Sequence, residues 1–217
     1  MGVNNNSKEL FEEQQFKYID RFKKFKLLLR DVKTNVIKTY KTISKVFDVH
    51  DMRPILIKKG NWNQRKISKI DTIIIHQELG IAYPNRSNSF AINEYHRLYN
   101  HWVGSAYHFS IDLNRIDLCN NFGDITYGAK NWNERSLHIV VCGDFAAPTH
   151  RGCQKPLEIQ LILLEFLIHK LLENPALPNL KDWEQVIGHN EATGKINCPG
   201  NILTEKIKIW RKINGGN

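Results

Sequence analysis

The sequence predicts an α/β domain, a mixed central β-sheet flanked by helices, preceded by a separate N-terminal helical segment. Two observations carry this. From Lys8 to Asp48 there is no Pro or Gly, and apolar residues recur at helical spacing. After a stretch holding Pro54 and Gly60, β-branched runs alternate instead with helical periods. Such alternation is the signature of strands and helices layered around one core.

The N-terminal apolar positions are Phe22, Phe25, Leu29, Val32, Val36, Tyr40, Ile43 and Phe47. Gaps of three and four place all eight on one helical face, so residues 1–52 read as a basic amphipathic module, one long helix or a helical hairpin. Residues 1–50 hold eleven Lys and Arg against six Asp and Glu, +5 of the chain's +9. A basic helix of this kind suits docking on an envelope, a membrane or a partner subunit. It suits equally well packing on its own domain with the lysines in water. Met52 to Asn63 breaks the pattern and marks the boundary, with the second domain at 53–217.

Within that domain, Ile70 to His76 (IDTIIIH) is a strand buried on both faces. Ala91 to Tyr99 reads as a helix. Tyr107 to Leu113 and Arg115 to Asn120 read as a hairpin around Asn114, its turn blurred by Asp112. Ser136 to Cys142 is a second buried strand, stopped by Gly143. Pro156 opens a long helix through Glu173, as first turns tolerate. Val186 and Ile187 form a strand stub, and Leu203 to Ile213 a closing helix.

Composition bounds the function. Hydrophobic residues at 41% of 217 supply a packed core, and apolar runs such as Ile73 to Ile75 fall far below the roughly 20 residues that span a bilayer. A soluble protein is expected. The Asn-rich start, Met1 to Lys8, is followed by no secretory signal, which predicts cytoplasmic synthesis. A charge of +9 favours acidic partners, or reflects a lysine-rich composition alone. Nucleic acid is not the expected partner, because no zinc finger, RNA-recognition or helix-turn-helix signature accompanies the charge.

The chemistry concentrates in three residues. His76 ends a buried strand, and His189 and Cys198 bracket the Gly-containing segment GHNEATGKINCPG. Two imidazoles and a thiolate suit zinc, and a catalytic zinc takes three protein ligands and leaves a fourth position for water. With Cys198 on a metal, Cys119, Cys142 and Cys153 remain, three thiols that cannot all pair, which points to a reducing compartment at synthesis.

The segments IDTIIIH, YHRLYNHW, SAYHF, NERSLHIVVCG and GHNEATGKINCPG, in that order, resemble the zinc-dependent N-acetylmuramoyl-L-alanine amidases, a family that includes amidase-type phage lysozymes and peptidoglycan recognition proteins. The resemblance spans about Ile70 to Trp210. It implies zinc on His76, His189 and Cys198, a catalytic Tyr107 beside the metal, and a Lys near the Cys ligand. Here that Lys is displaced by one position, to Lys195, with Ile196 in its expected place. Tyr95 matches a Tyr that contacts the peptide stem. The strand position where some members carry a Glu as candidate base is Val140, so any base must be another group. The family's strand Gly is His138 and a common loop His is Gly128; His138 either takes a substrate contact or is an accommodated strand residue. The resemblance implies bacterial peptidoglycan as partner, cut between N-acetylmuramic acid and L-alanine. It suits a phage or prophage lysin released by a holin, a virion-borne enzyme or a cytosolic recycling amidase. The alternative is a non-catalytic peptidoglycan-binding protein, against which Cys198 argues.

Overall fold

The computed structural model describes residues 49–78, 88–113, 115–146, 154–195 and 197–215. The helical segment expected before Val49 lies outside them, as do Asn114, Cys153 and Ile196.

Thr72–Gln77 (β2) and Ser136–Val141 (β5) lie at the centre of the sheet, and every residue of both is buried. This is why their sequences are continuous apolar runs rather than alternating ones. They pair in parallel, with Ile74 opposite His138 and His76 opposite Val140. Side chains alternate faces along a strand and match across a pair, so Ile74, His76, His138 and Val140 share one face.

The predicted hairpin is present as Phe109–Ile111 (β3) and Ile116–Leu118 (β4), paired antiparallel. Asp112 has a definite task in its turn. Its backbone N–H donates to Arg115 O at 3.0 Å, and its carboxylate accepts from Leu113 N at 3.1 Å and Asn88 N at 2.9 Å. The second bond seats the carboxylate at the start of helix Asn88–Leu98 (α1), where the unpaired amides of a helix N-terminus favour negative charge. Ile92 of α1 packs against Val140 and Cys142, on the face that carries His76.

Val49–Asp51 (β1) adds a parallel strand beside β4, and Val186–Gly188 (β6) one beside β2, giving the order β1-β4-β3-β5-β2-β6. The sheet is mixed, as expected. The β1 strand lies just ahead of position 53, where the sequence placed the domain's start. Met52 N continues the ladder to Leu118 O at 2.9 Å, and Met52 and Leu56 are buried with Cys119. The stretch with Pro54 and Gly60 thus begins packed on the sheet, through Met52 and Leu56, four residues apart, against the residue that follows β4.

Glu158–Leu172 (α2) starts two residues after Pro156, with Leu157 as N-cap; the Pro precedes the first turn instead of occupying it. His189–Thr193 (α3) is a short helix inside what reads from sequence as a loop, and Asn201–Asn214 (α4) closes the chain. The α4 helix buries Leu203, Ile207 and Trp210, the last with its ring centroid 6.0 Å from that of Trp183. Among the described residues no helix is long and apolar enough to cross a membrane.

Gly200 joins the Cys198 loop to α4 with φ +88°, and a Cβ there would collide with the Phe145 carbonyl. Gly200→Ala is therefore expected to cost roughly 2 to 4 kcal/mol, from left-handed backbone plus overpacking. Urea unfolding measures it, and a loss below about 1 kcal/mol would show that the loop relaxes freely.

Candidate metal and catalytic site

Two neighbouring parallel strands end side by side, and each delivers a histidine. β2 brings His76, and β6 ends at Gly188, opposite Ile75, so that His189 follows next to His76. Their ring centroids are 4.6 Å apart. Carboxyl ends of parallel strands are where open α/β sheets commonly place ligands.

The third member arrives through the loop after α3. Gly194, at φ +74°, caps that helix through its N–H to Asn190 O at 2.8 Å and turns the chain back. Gln77, the last residue of β2, then pins the returning loop. Its Nε2 donates to Asn197 O, and its Oε1 accepts from Phe145 N at 2.6 Å. Cys198 Sγ consequently lies 3.8 Å from His76 Nδ1. One ligating atom from each of His76, His189 and Cys198 falls within 4.8 Å of the others.

The electrostatics fit a cation. Burial holds His76 well below the ordinary imidazole range and His189 at about 4, in both cases helped by the positive charge of Lys195. Both rings are therefore neutral at physiological pH, each with a lone pair to offer. Burial pushes the Cys198 thiol up to about 11, with a hydrogen bond from the Gln77 backbone and the charge of Lys195 opposing. A soft divalent cation would supply the missing positive charge and favour the thiolate.

Tyr107 packs against this cluster, its ring centroid 4.9 Å from that of His76. Burial and the neighbouring Cys198, Glu78 and Cys142 push its phenol above the ordinary range, so the hydroxyl keeps its proton and remains a donor. Lys195 lies on a cleft of about 670 Å³ that reaches His189 and is lined also by Trp102, Tyr127, Lys130 and Trp132. Trp132 is fixed there by its Nε1 donating to Ala192 O at 2.8 Å. Val140 is fully buried opposite His76, so β5 offers no carboxylate at that point.

Residues 65–201 match the N-acetylmuramoyl-L-alanine amidase family. The chain belongs to that family. Solved structures share the fold at low identity. Peptidoglycan recognition protein-LE, solved in complex with tracheal cytotoxin, a monomeric diaminopimelic acid-type peptidoglycan, is 16% identical with a TM-score of 0.64, covering 75% of this chain and 93% of that one. The endolysin of Thermus scotoductus MAT2119 bacteriophage Ph2119 is 19% identical with a TM-score of 0.60, covering 76% and 99%. Bumblebee PGRP-SA is 22% identical with a TM-score of 0.63, covering 76% and 95%. No curated protein sequence matches the chain.

Measured against the residues singled out from sequence, the amidase domain brings His76, His189, Cys198 and Tyr107 together and sets Lys195 on the adjoining cleft. Tyr95 stands apart: it is exposed on α1 and stacked on Tyr99 at 5.3 Å, and it is not among the residues lining that cleft. Sequence reasoning missed Gln77 and the cleft aromatics Trp102, Tyr127 and Trp132. For Gln77 there was a signal, a polar residue closing an otherwise apolar buried strand. It also left His138 open. That residue is fully buried, with Nδ1 at 3.1 Å from His76 Nε2.

The site sits among further neutral imidazoles, with burial holding His96 at about 4 and His108 at about 3. In the unfolded chain each would titrate near 6.5. As pH falls through that value the unfolded state takes up protons that the fold refuses, so stability drops. For metal-free protein each of these two should cost about 2 kcal/mol between about pH 7 and pH 5. A flat urea-unfolding profile over that range would contradict their burial as neutral rings.

Proposed function

We propose that the chain is a zinc-dependent peptidoglycan hydrolase that cleaves the amide between the lactyl group of N-acetylmuramic acid and L-alanine of the stem peptide. The observation that carries this reading is the convergence of His76, His189 and Cys198 ligating atoms within 4.8 Å at the ends of β2 and β6, beside an open cleft. Two imidazoles and one thiolate form a donor set that zinc prefers over harder ions.

When bound, zinc supplies Lewis acidity towards the carbonyl and activation of water near neutral pH. The chain's own residues do the rest. His76 and His189, kept neutral by burial, hold the metal without competing protons. The Tyr107 hydroxyl donates a hydrogen bond to the oxygen on which negative charge develops. Lys195 brings a positive charge to the same cleft. Trp102, Tyr127 and Trp132 offer apolar faces to the substrate and reduce the water around the scissile bond.

The wall-directed role rests on the family and on the kinship of fold with the phage endolysin. In this reading the chain is a phage or prophage lysin, made in the cytoplasm and reaching the wall through a holin or as part of a virion. A recognition protein that binds peptidoglycan without cutting it is the second reading, favoured by the recognition-protein folds among the structural neighbours. Cys198 argues for the enzyme, because binding alone needs no thiolate ligand.

About one zinc per chain should co-purify, and chelation should abolish hydrolysis of isolated walls until zinc is restored. Cys198→Ser should lose both metal and activity. The digest should contain new amino-terminal L-alanine and no new reducing sugar; walls that are bound without alanine release would establish the recognition reading instead.

Tyr107→Phe is expected to lower turnover by about 100 to 1,000-fold, the usual worth of an oxyanion donor, with zinc content unchanged. Lys195→Ala should cost less, since its place in the loop is displaced by one residue from the family pattern. The reverse order would transfer the oxyanion contact to Lys195.

A further inference from the structure

The two nitrogens of His76 have different neighbours. Nδ1 faces Cys198 Sγ at 3.8 Å, and Nε2 faces His138 Nδ1 at 3.1 Å. Between Nε2 and Nδ1 there is room for one proton, and its position settles what His76 can do. A neutral imidazole carries one donor and one acceptor. If the proton belongs to His138, then His76 carries its own on Nδ1, pointing at Cys198, and cannot ligate a cation there. If it belongs to His76 Nε2, the Nδ1 lone pair is turned to the metal position.

We propose that His138 is the positioning residue of the metal site: its Nδ1 accepts the Nε2 proton of His76, fixing the tautomer and ring orientation in which His76 Nδ1 is a ligand. The inference rests on the zinc reading above and assigns to a strand residue a role that the three ligands cannot supply themselves. Metal-bound histidines generally donate their other N–H to a carboxylate, a carbonyl or water. Here the acceptor is a second imidazole on the adjacent strand.

His138 is built to stay in place. Its backbone N–H donates to His108 Nδ1 at 3.1 Å and its carbonyl accepts from His108 N at 2.8 Å. The His108 ring stacks on it at 5.8 Å between centroids and 27° between planes. His108 is held in turn through Nε2, which lies 3.1 Å from Asp124 O and 3.0 Å from Arg65 Nη2, while its Nδ1 is the acceptor for the His138 amide. The space for the ring comes from Gly128. A Cβ there would lie 2.5 Å from His138 Cγ and 2.6 Å from Nδ1, so the glycine and the histidine are one arrangement. With the shared proton on His76, His138 carries its own on Nε2, an atom that is buried with no partner among the described residues. Its neighbour at Nδ1 is thus its single side-chain hydrogen bond there, and the ring has no competing partner to turn towards.

The experiment uses the full chain. Long-range proton–nitrogen correlation of the metal-free, ¹⁵N-histidine-labelled protein reads the tautomer of His76 directly, and the Nε2–H form is expected; an Nδ1–H form in the wild type overturns the proposal without any variant. Zinc affinity, measured by competition with a chromophoric chelator, is expected to fall about 10 to 100-fold in His138→Leu, the usual effect of losing such a partner. His138→Asn, whose Oδ1 can accept at the same place, should restore most of it. Gly128→Ala, which crowds the His138 ring, should weaken zinc in the same direction as His138→Leu. Wild-type affinity in His138→Leu overturns the proposal, and so does equal loss in the Leu and Asn variants, since that would mean the ring supplies volume only. A wild-type chain that binds no zinc sinks the zinc reading itself, a different failure from a zinc site indifferent to His138.

Discussion

The site depends on one constraint, the parallel pairing of β2 with β6. Because Ile75 lies opposite Gly188, the two chains leave the sheet in step and His76 and His189 emerge as neighbours. Displacing the register of either strand by one residue would turn one of the histidines to the other face. The pairing is made secure by burial on both faces of β2, where each of Ile73, Ile74 and Ile75 is fully enclosed. A core of this kind holds register strongly, since slippage would expose or misplace the whole apolar set.

Cys198 has no strand of its own and depends on polar contacts instead. Gln77 grips both the Cys198 loop and the Phe145 backbone, and Gly200 lets the chain pass close to Phe145. The approach to α3 is held by Glu191, which accepts from Gly188 N at 2.8 Å and from Arg211 of α4 at 2.6 Å. Buried polar groups that are fully paired act as rigid specifiers of geometry. The same logic explains Arg65, whose guanidinium threads between strands to the carbonyls of Phe122, Asn133 and Ser136 and is lowered by burial to about 10. Rigid support beneath a site is what keeps its donors at fixed distances.

Much of the sheet was legible because its central strands obey local rules. The runs TIIIHQ and SLHIVV declare buried strands, and the helices α1, α2 and α4 announce themselves by periodicity within a few residues of their ends. What was not legible is what depends on partners distant in sequence. Val49–Asp51 is three exposed residues whose strand character exists only through β4. The α3 helix is five residues long and draws on Glu191 and Gly194 for its ends, too little for a periodic signal. In the site, the converging His76, His189 and Cys198 were readable as residue types, and the family motif pointed to Tyr107. The pairing of His138 with Gly128 was visible only as two departures from a pattern. Their complementarity is steric, between a loop and a strand, and no spacing rule encodes it. For Tyr95, exposed on α1, the motif match is the whole of the sequence signal.

The central claim is that His76, His189 and Cys198 together hold zinc. X-ray absorption at the zinc edge of the protein as purified tests it most directly, because it counts ligand types without requiring activity. The account predicts one sulfur, two imidazole nitrogens and one further light atom around each zinc, with the sulfur lost in Cys198→Ser. A shell of several sulfurs, a shell with none, or an unchanged sulfur contribution in that variant would contradict it.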